Sequence, residues 1–125
     1  MMIQFYLLTN AFLYLLFTVW CLIKNETSAR FLGYGFINNT GKVEYLTIYT
    51  GLQLGFTVFL SIAAFKEEMR FTALVFLVCL YLGIMLTRTS AAVYFGHLDK
   101  ATYWVGGLEY ALGIWGLVLL IIKSQ

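Results

Sequence analysis

The sequence predicts an all-α integral membrane protein folded as an antiparallel bundle of four transmembrane helices. Three observations carry that expectation. Apolar residues make up 62% of the chain and charged residues 11%, against about half and a quarter in soluble domains, which places it in the membrane class. The apolar residues gather into four stretches, each long enough to cross a hydrocarbon core about 30 Å thick at ~1.5 Å rise per residue. Proline is absent, so no residue of that kind breaks or kinks them. A single domain over residues 1–125 is all that the length allows.

The first span covers residues 3–23, IQFYLLTNAFLYLLFTVWCLI, without a charge. It lacks the basic start and the small-residue cleavage site of a signal peptide, so it is expected to remain in place. Thr9 and Asn10 offer hydrogen bonds to a neighbouring helix and read as packing polarity. Residues 24–43, KNETSARFLGYGFINNTGKV, form the long first loop, ending in the turn-forming run Asn38, Asn39, Thr40, Gly41. Its aromatic middle, FLGYGFI, is too short to span and is expected at the interface or folded over the bundle. The triplets at Asn25 and Asn38 match the glycosylation sequon, a common pattern that matters only in a secretory pathway.

Residues 44–65, EYLTIYTGLQLGFTVFLSIAAF, make the second span. Glu44 opens it, where the positive end of the helix dipole favours a carboxylate. Gly51 and Gly55 form a GxxxG pair and are expected against another helix. The charged turn KEEMR follows, short enough to make its flanking spans antiparallel neighbours. The third span covers 71–95, charge-free until Arg88, and GHLDKAT turns the chain with His97, Asp99 and Lys100 exposed. The fourth covers 103–122 and carries Glu109 among Gly106, Gly107, Ala111, Gly113 and Gly116. Both termini then fall on one side. Lys and Arg outside the spans divide four against three, too evenly to orient the protein, with a slight lean to the odd-numbered loops facing the cytoplasm.

Several function classes drop out. The basic residues are scattered singly rather than patched, which excludes nucleic acid as a partner. One histidine and no CxxC or HxxxH leave no metal site, and no cofactor motif is present. Cys21 and Cys79 read as small core hydrophobes.

What remains is charge in the wrong place. An ionisable side chain inside a span costs roughly 2.5–3.5 kcal/mol on insertion scales and normally faces a partner or a polar cavity. Arg88 lies seven residues before the end of its span and Glu109 six after the start of its own, so each is about 9–10 Å deep and the two are expected to pair. Tyr49 reaches a similar depth, Thr87, Thr89, Ser90 and Tyr110 stand nearby, and Glu44, Tyr45, Tyr94 and His97 lie toward the mouth on the same side. The candidate ligand-binding set is therefore Glu44, Tyr49, Arg88, His97 and Glu109. Two accounts compete: the pair staples two helices together, or it floors a cavity where Arg88 holds an anionic or carbonyl group and a carboxylate exchanges a proton.

The second span with its NTGKVEYLTIYTGLQLGFTVF, the third ending LGIMLTR and the fourth with GLEYALGIWGL resemble a family of small bacterial four-span membrane proteins, domain of unknown function forty-three forty-five. The resemblance covers most of the chain from Val43 onward and rests on Glu44, Tyr49, Gly51, Leu54, Arg88 and Glu109. In the family pattern a basic residue stands in place of Thr47 and a second glycine in place of Thr50, which counts against a two-base site. The resemblance implies a bacterial inner membrane location and supplies no activity. The function expected is a small membrane protein with a polar intramembrane pocket for an apolar or amphiphilic small molecule, the lipid bilayer being its first partner. A helper or assembly subunit, joined to itself or to other chains through glycine-rich helix faces, is the alternative. A membrane isomerase or oxidoreductase acting on a sterol-like or quinone-like substrate, with Glu44, Glu109 and His97 moving protons, is the second.

Overall fold

The computed structural model describes residues 1–124, and these are helical nearly throughout, with no strand among them. Helix α1 covers Met2–Ile23, α2 Asn25–Phe31, α3 Asn39–Leu46, α4 Gln53–Phe65, α5 Glu67–Phe95 and α6 Lys100–Ser124. A π-helical segment, Thr47–Leu52, joins α3 to α4, so that Asn39–Phe65 is one continuous rod. Four rods, namely α1, α3 with α4, α5 and α6, are long and apolar enough to cross a membrane.

The helices begin and end where side chains or special dihedrals satisfy the terminal backbone groups. Asn38 caps α3, its Oδ1 accepting from the Gly41 amide at 3.0 Å. The second rod thus starts five residues before the apolar run does, and Glu44 sits beyond the first turn rather than at the dipole's positive end, contrary to the expectation for it. The loop expected over residues 24–43 is half helical: α2 follows α1 directly after Lys24. Gly33 ends α2 at φ 84°, with its amide on the Arg30 carbonyl and the Tyr34 amide on the Ala29 carbonyl, the paired bonds of a Schellman turn. At the KEEMR turn only Lys66 leaves the helix; Glu67 and Glu68 occupy the favourable first turn of α5, and Arg70 Nε donates to the Ala64 carbonyl at 3.0 Å, covering the end of α4.

Packing is closest between α1 and α4 and between α5 and α6. Small residues set both contacts. Ala11 meets Thr57, whose hydroxyl reaches the Ala11 carbonyl at 3.4 Å, and Ala63 and Ala64 are fully buried. On α6 the positions Gly106, Glu109, Gly113 and Gly116 recur at helical spacing and share one stripe. A Cβ on Gly113 would come within 3.1 Å of Tyr81 Cβ, and one on Gly116 within 2.5 Å of the Tyr6 hydroxyl oxygen. By contrast Gly51 and Gly55 are exposed with open space where a Cβ would stand. The expectation that they pack against another helix is not met within the chain, because α4 turns Thr57, Leu60, Ala63 and Ala64 inward instead. Cys21 is buried as expected, whereas Cys79 is exposed on the outer face of α5.

Two cores result. The larger joins all four rods around Tyr6, Leu7, Leu60, Leu74, Leu77 and Leu112. The smaller gathers Cys21, Ala29 and Tyr45, with Phe17, Phe36 and Tyr49 against them, under α2 and the turn that follows it. The FLGYGFI segment is therefore tied down in part: Tyr34 and Phe36 pack edge-on to Tyr45, while Ile37 is left exposed.

The two glycine environments make opposite predictions for the same substitution. Gly116→Ala should destabilise the detergent-solubilised protein by about 1–3 kcal/mol, the cost of overpacking, since the added methyl competes with the Tyr6 hydroxyl. Gly55→Ala should be neutral or stabilising by up to about 1 kcal/mol through helix propensity. Chemical unfolding of both variants measures the two signs.

Candidate functional site

The helical phase of α5 and α6 turns Arg88 and Glu109 toward each other, and they meet in an ion pair. Arg88 Nε and Nη2 both donate to the same carboxylate oxygen, Glu109 Oε2, each at 2.7 Å. Gly106, three residues before Glu109, makes this possible: a Cβ there would stand 3.0 Å from Arg88 Cδ, so the stem of Arg88 lies across α6 only because that side chain is absent. The pair is partly open, with 30% of the Arg88 side chain and 21% of the Glu109 side chain exposed. At the next residue of each helix the hydroxyls of Thr89 and Tyr110 are bonded to each other, and both lie within reach of the Met85 carbonyl, at 2.7 and 3.2 Å.

Two apolar grooves flank the pair. The larger, about 680 Å³, follows α5 from Cys79 past Gly83, Thr87 and Ala91 to Phe95. The smaller, about 460 Å³, runs between Val93 of α5 and Tyr103, Gly107 and Tyr110 of α6. Arg88, Ala92, Leu98 and Thr102 belong to both. Glu109 lines neither. Both volumes fall within the roughly 300–1,000 Å³ of small-molecule sites.

The rest of the expected site does not assemble here. Glu44 is exposed on α3, and its carboxylate makes no hydrogen bond or ion pair among the described residues. His97 is exposed in the α5–α6 turn, and Tyr94 beside it is 83% exposed. Tyr49 faces the smaller core, stacked on Tyr45 with ring centroids 4.6 Å apart, its hydroxyl bonded to that of Tyr34 at 3.1 Å. None of Glu44, Tyr49 and His97 lines either groove or bonds to the pair. Depth along a span says nothing about direction around it. The convergence expected of three spans reduces to α5 and α6.

A buried polar line crosses the bundle; Asn10 bonds to a neighbouring helix as expected, whereas its partners Tyr81 and Tyr6 were not expected. Tyr81 of α5 donates to Asn10 Oδ1 of α1 at 2.6 Å, Asn10 donates to the Tyr6 carbonyl at 2.8 Å, and the Tyr6 hydroxyl donates to the Leu112 carbonyl of α6 at 3.0 Å. The signal was present: Tyr81 stands seven residues, about two turns, before Arg88 and shares its face. Comparison with protein-family models, with curated proteins and with solved structures finds no match for the chain.

Because the two charges bond directly, a double-mutant cycle with Arg88→Gln and Glu109→Gln should return a coupling energy on the order of 1 kcal/mol, in the lower part of the range for contacting residues because both side chains stay partly exposed. Unfolding in detergent measures it, and additive single-variant losses would show that the pair carries no stability of its own.

Proposed function

We propose that the chain is an integral protein of a bacterial inner membrane, a bundle of four transmembrane helices that takes an apolar or amphiphilic small molecule from the lipid phase into the grooves beside Arg88. The observation that carries this reading is the placement of one charged side chain, Arg88, in the lining of two open and otherwise mostly apolar grooves along α5 and α6. A membrane site built this way admits a ligand laterally, with the polar group held at the charge and the apolar part along the helices. The outward apolar surface supports the membrane placement: no more than 33% of the most apolar window is buried in any of the four rods. In water so much exposed apolar surface would drive association. Membership in domain of unknown function forty-three forty-five belongs to the same proposal and rests on Glu44, Tyr49, Gly51, Leu54, Arg88 and Glu109.

One observation favours the second reading, a helper or assembly subunit. Gly51 and Gly55 present a smooth, open face on the second rod, the kind of surface that lets another helix come close. The enzymatic alternative requires proton-transfer groups gathered together, and Glu44 and His97 bond to neither member of the pair, so the geometry lends it no support.

Ala92 lines both grooves and is half-buried on the open side of α5, away from the two cores. Ala92→Phe should fill both grooves and lower the amount of co-purifying amphiphile several-fold while leaving the helical content and unfolding midpoint near those of the parent. Mass spectrometry of organic extracts from the two purified proteins measures this. An unchanged extract from a folded variant would leave the assembly reading in front.

A further inference from the structure

We infer that the occupant of the grooves is a lipid with a negatively charged headgroup, held at Arg88 with an acyl chain along α5. The inference rests on the amphiphile reading above and adds to it the sign of the headgroup.

The sign follows from which half of the ion pair a ligand meets. The guanidinium lines both grooves and the carboxylate neither, so a molecule lying in either groove faces the cation rather than its counter-charge. No acidic side chain and no other basic one lines the grooves. Glu109 engages Nε and Nη2 through a single oxygen, and Nη1 meets no acceptor among the described residues. A guanidinium has five donors in a planar fork, so Arg88 retains hydrogens for a phosphate oxygen while still paired. Thr102, shared by both grooves, adds a hydroxyl to their lining nearer the α5–α6 turn. At the mouth, Asp99 and Lys100 stand side by side and exposed, so their charges offset and neither sign is excluded from entry.

The grooves overlap at Arg88, Ala92, Leu98 and Thr102; the larger continues from Arg88 down α5 to Cys79, a trough for an acyl chain, while the smaller lies between Arg88 and the α5–α6 turn. Gly83 and Gly107, each with open space where a Cβ would stand, keep the grooves deep. Arg88 lies seven residues, about 10 Å, inside the end of α5, a depth from which a long basic side chain reaches the headgroup level.

The test uses the whole chain in a mild nonionic detergent. It is offered equal amounts of dioleoyl phosphatidylglycerol and dioleoyl phosphatidylcholine, with bound molecules counted by native mass spectrometry. The parent should retain one phosphatidylglycerol per chain, at least about tenfold over phosphatidylcholine. Arg88→Gln should reduce that preference to within about twofold, and Arg88→Lys should keep most of it. Lys24→Gln, which removes an exposed cation outside the grooves, should leave it intact. Equal retention of both lipids by the parent overturns the charge assignment while the amphiphile reading stands. Retention of neither lipid overturns the inference and the reading beneath it together. Should Arg88→Gln fail to fold, the parent's headgroup preference and Arg88→Lys decide the matter.

Discussion

The hydrogen bonds of Tyr6 and Tyr81 fix how the α1–α4 pair sits on the α5–α6 pair. Inside an apolar medium a hydroxyl without a partner is costly, and each of these two finds its partner on a different rod. Tyr6 reaches a backbone carbonyl on α6 that is open to it only because Gly116, one turn on, has no side chain. Tyr81 reaches Asn10, which is itself anchored to its own helix. Three rods are thereby locked in register around Leu7, Leu74, Leu77 and Leu112, and apolar packing, which is indifferent to small rotations, fills in around them. The phase of α5 set by Tyr81 is also the phase that aims Arg88 at Glu109, two turns further along.

The molecule consequently has a tight end and a loose end. Where Tyr6, Asn10 and Tyr81 meet, side chains from all four rods interlock. Beyond Arg88 the α5–α6 hairpin stands largely by itself, with Val93, Tyr94, Phe95 and Trp104 outward. An ion pair at the boundary between those regions holds the hairpin closed with its own charges. The larger groove runs past it along the outer side of α5, from Cys79 to Phe95, while the opposite side of the same helix packs into the core through Leu74, Leu77 and Tyr81.

How much of this the sequence could tell depended on whether a property runs along a helix or around it. The four apolar runs, the single proline-free domain and the common depth of Arg88 and Glu109 are properties along the chain, and counting residues finds them. Direction around the axis needs knowledge of the neighbours. Glu44 and His97 share the end of the bundle with Arg88 but point into solvent, and Tyr49 shares its depth but faces Cys21 and Tyr45. The GxxxG spacing of Gly51 and Gly55 is no different in kind from the glycine spacing on α6, yet only the latter touches other helices. Cys79, one residue from the buried Val78, was misjudged for the same reason.

The π-helical segment at Thr47–Leu52 bears on how this chain can change over evolutionary time. A π turn holds one more residue than an α turn, so it is equivalent to a single-residue insertion absorbed without breaking the rod. Deleting one residue there would restore a plain α-helix but rotate everything before it by about 100° relative to α4. Tyr45 and Tyr49 would swing off α1, and the Cys21, Tyr45 and Ser28 side-chain contacts beneath α2 would be lost, while α4 kept its seat on Ala11. Length variation at this one point therefore separates the covering of the bundle from its core, and gives the chain a place where the first can be remade with the second left alone.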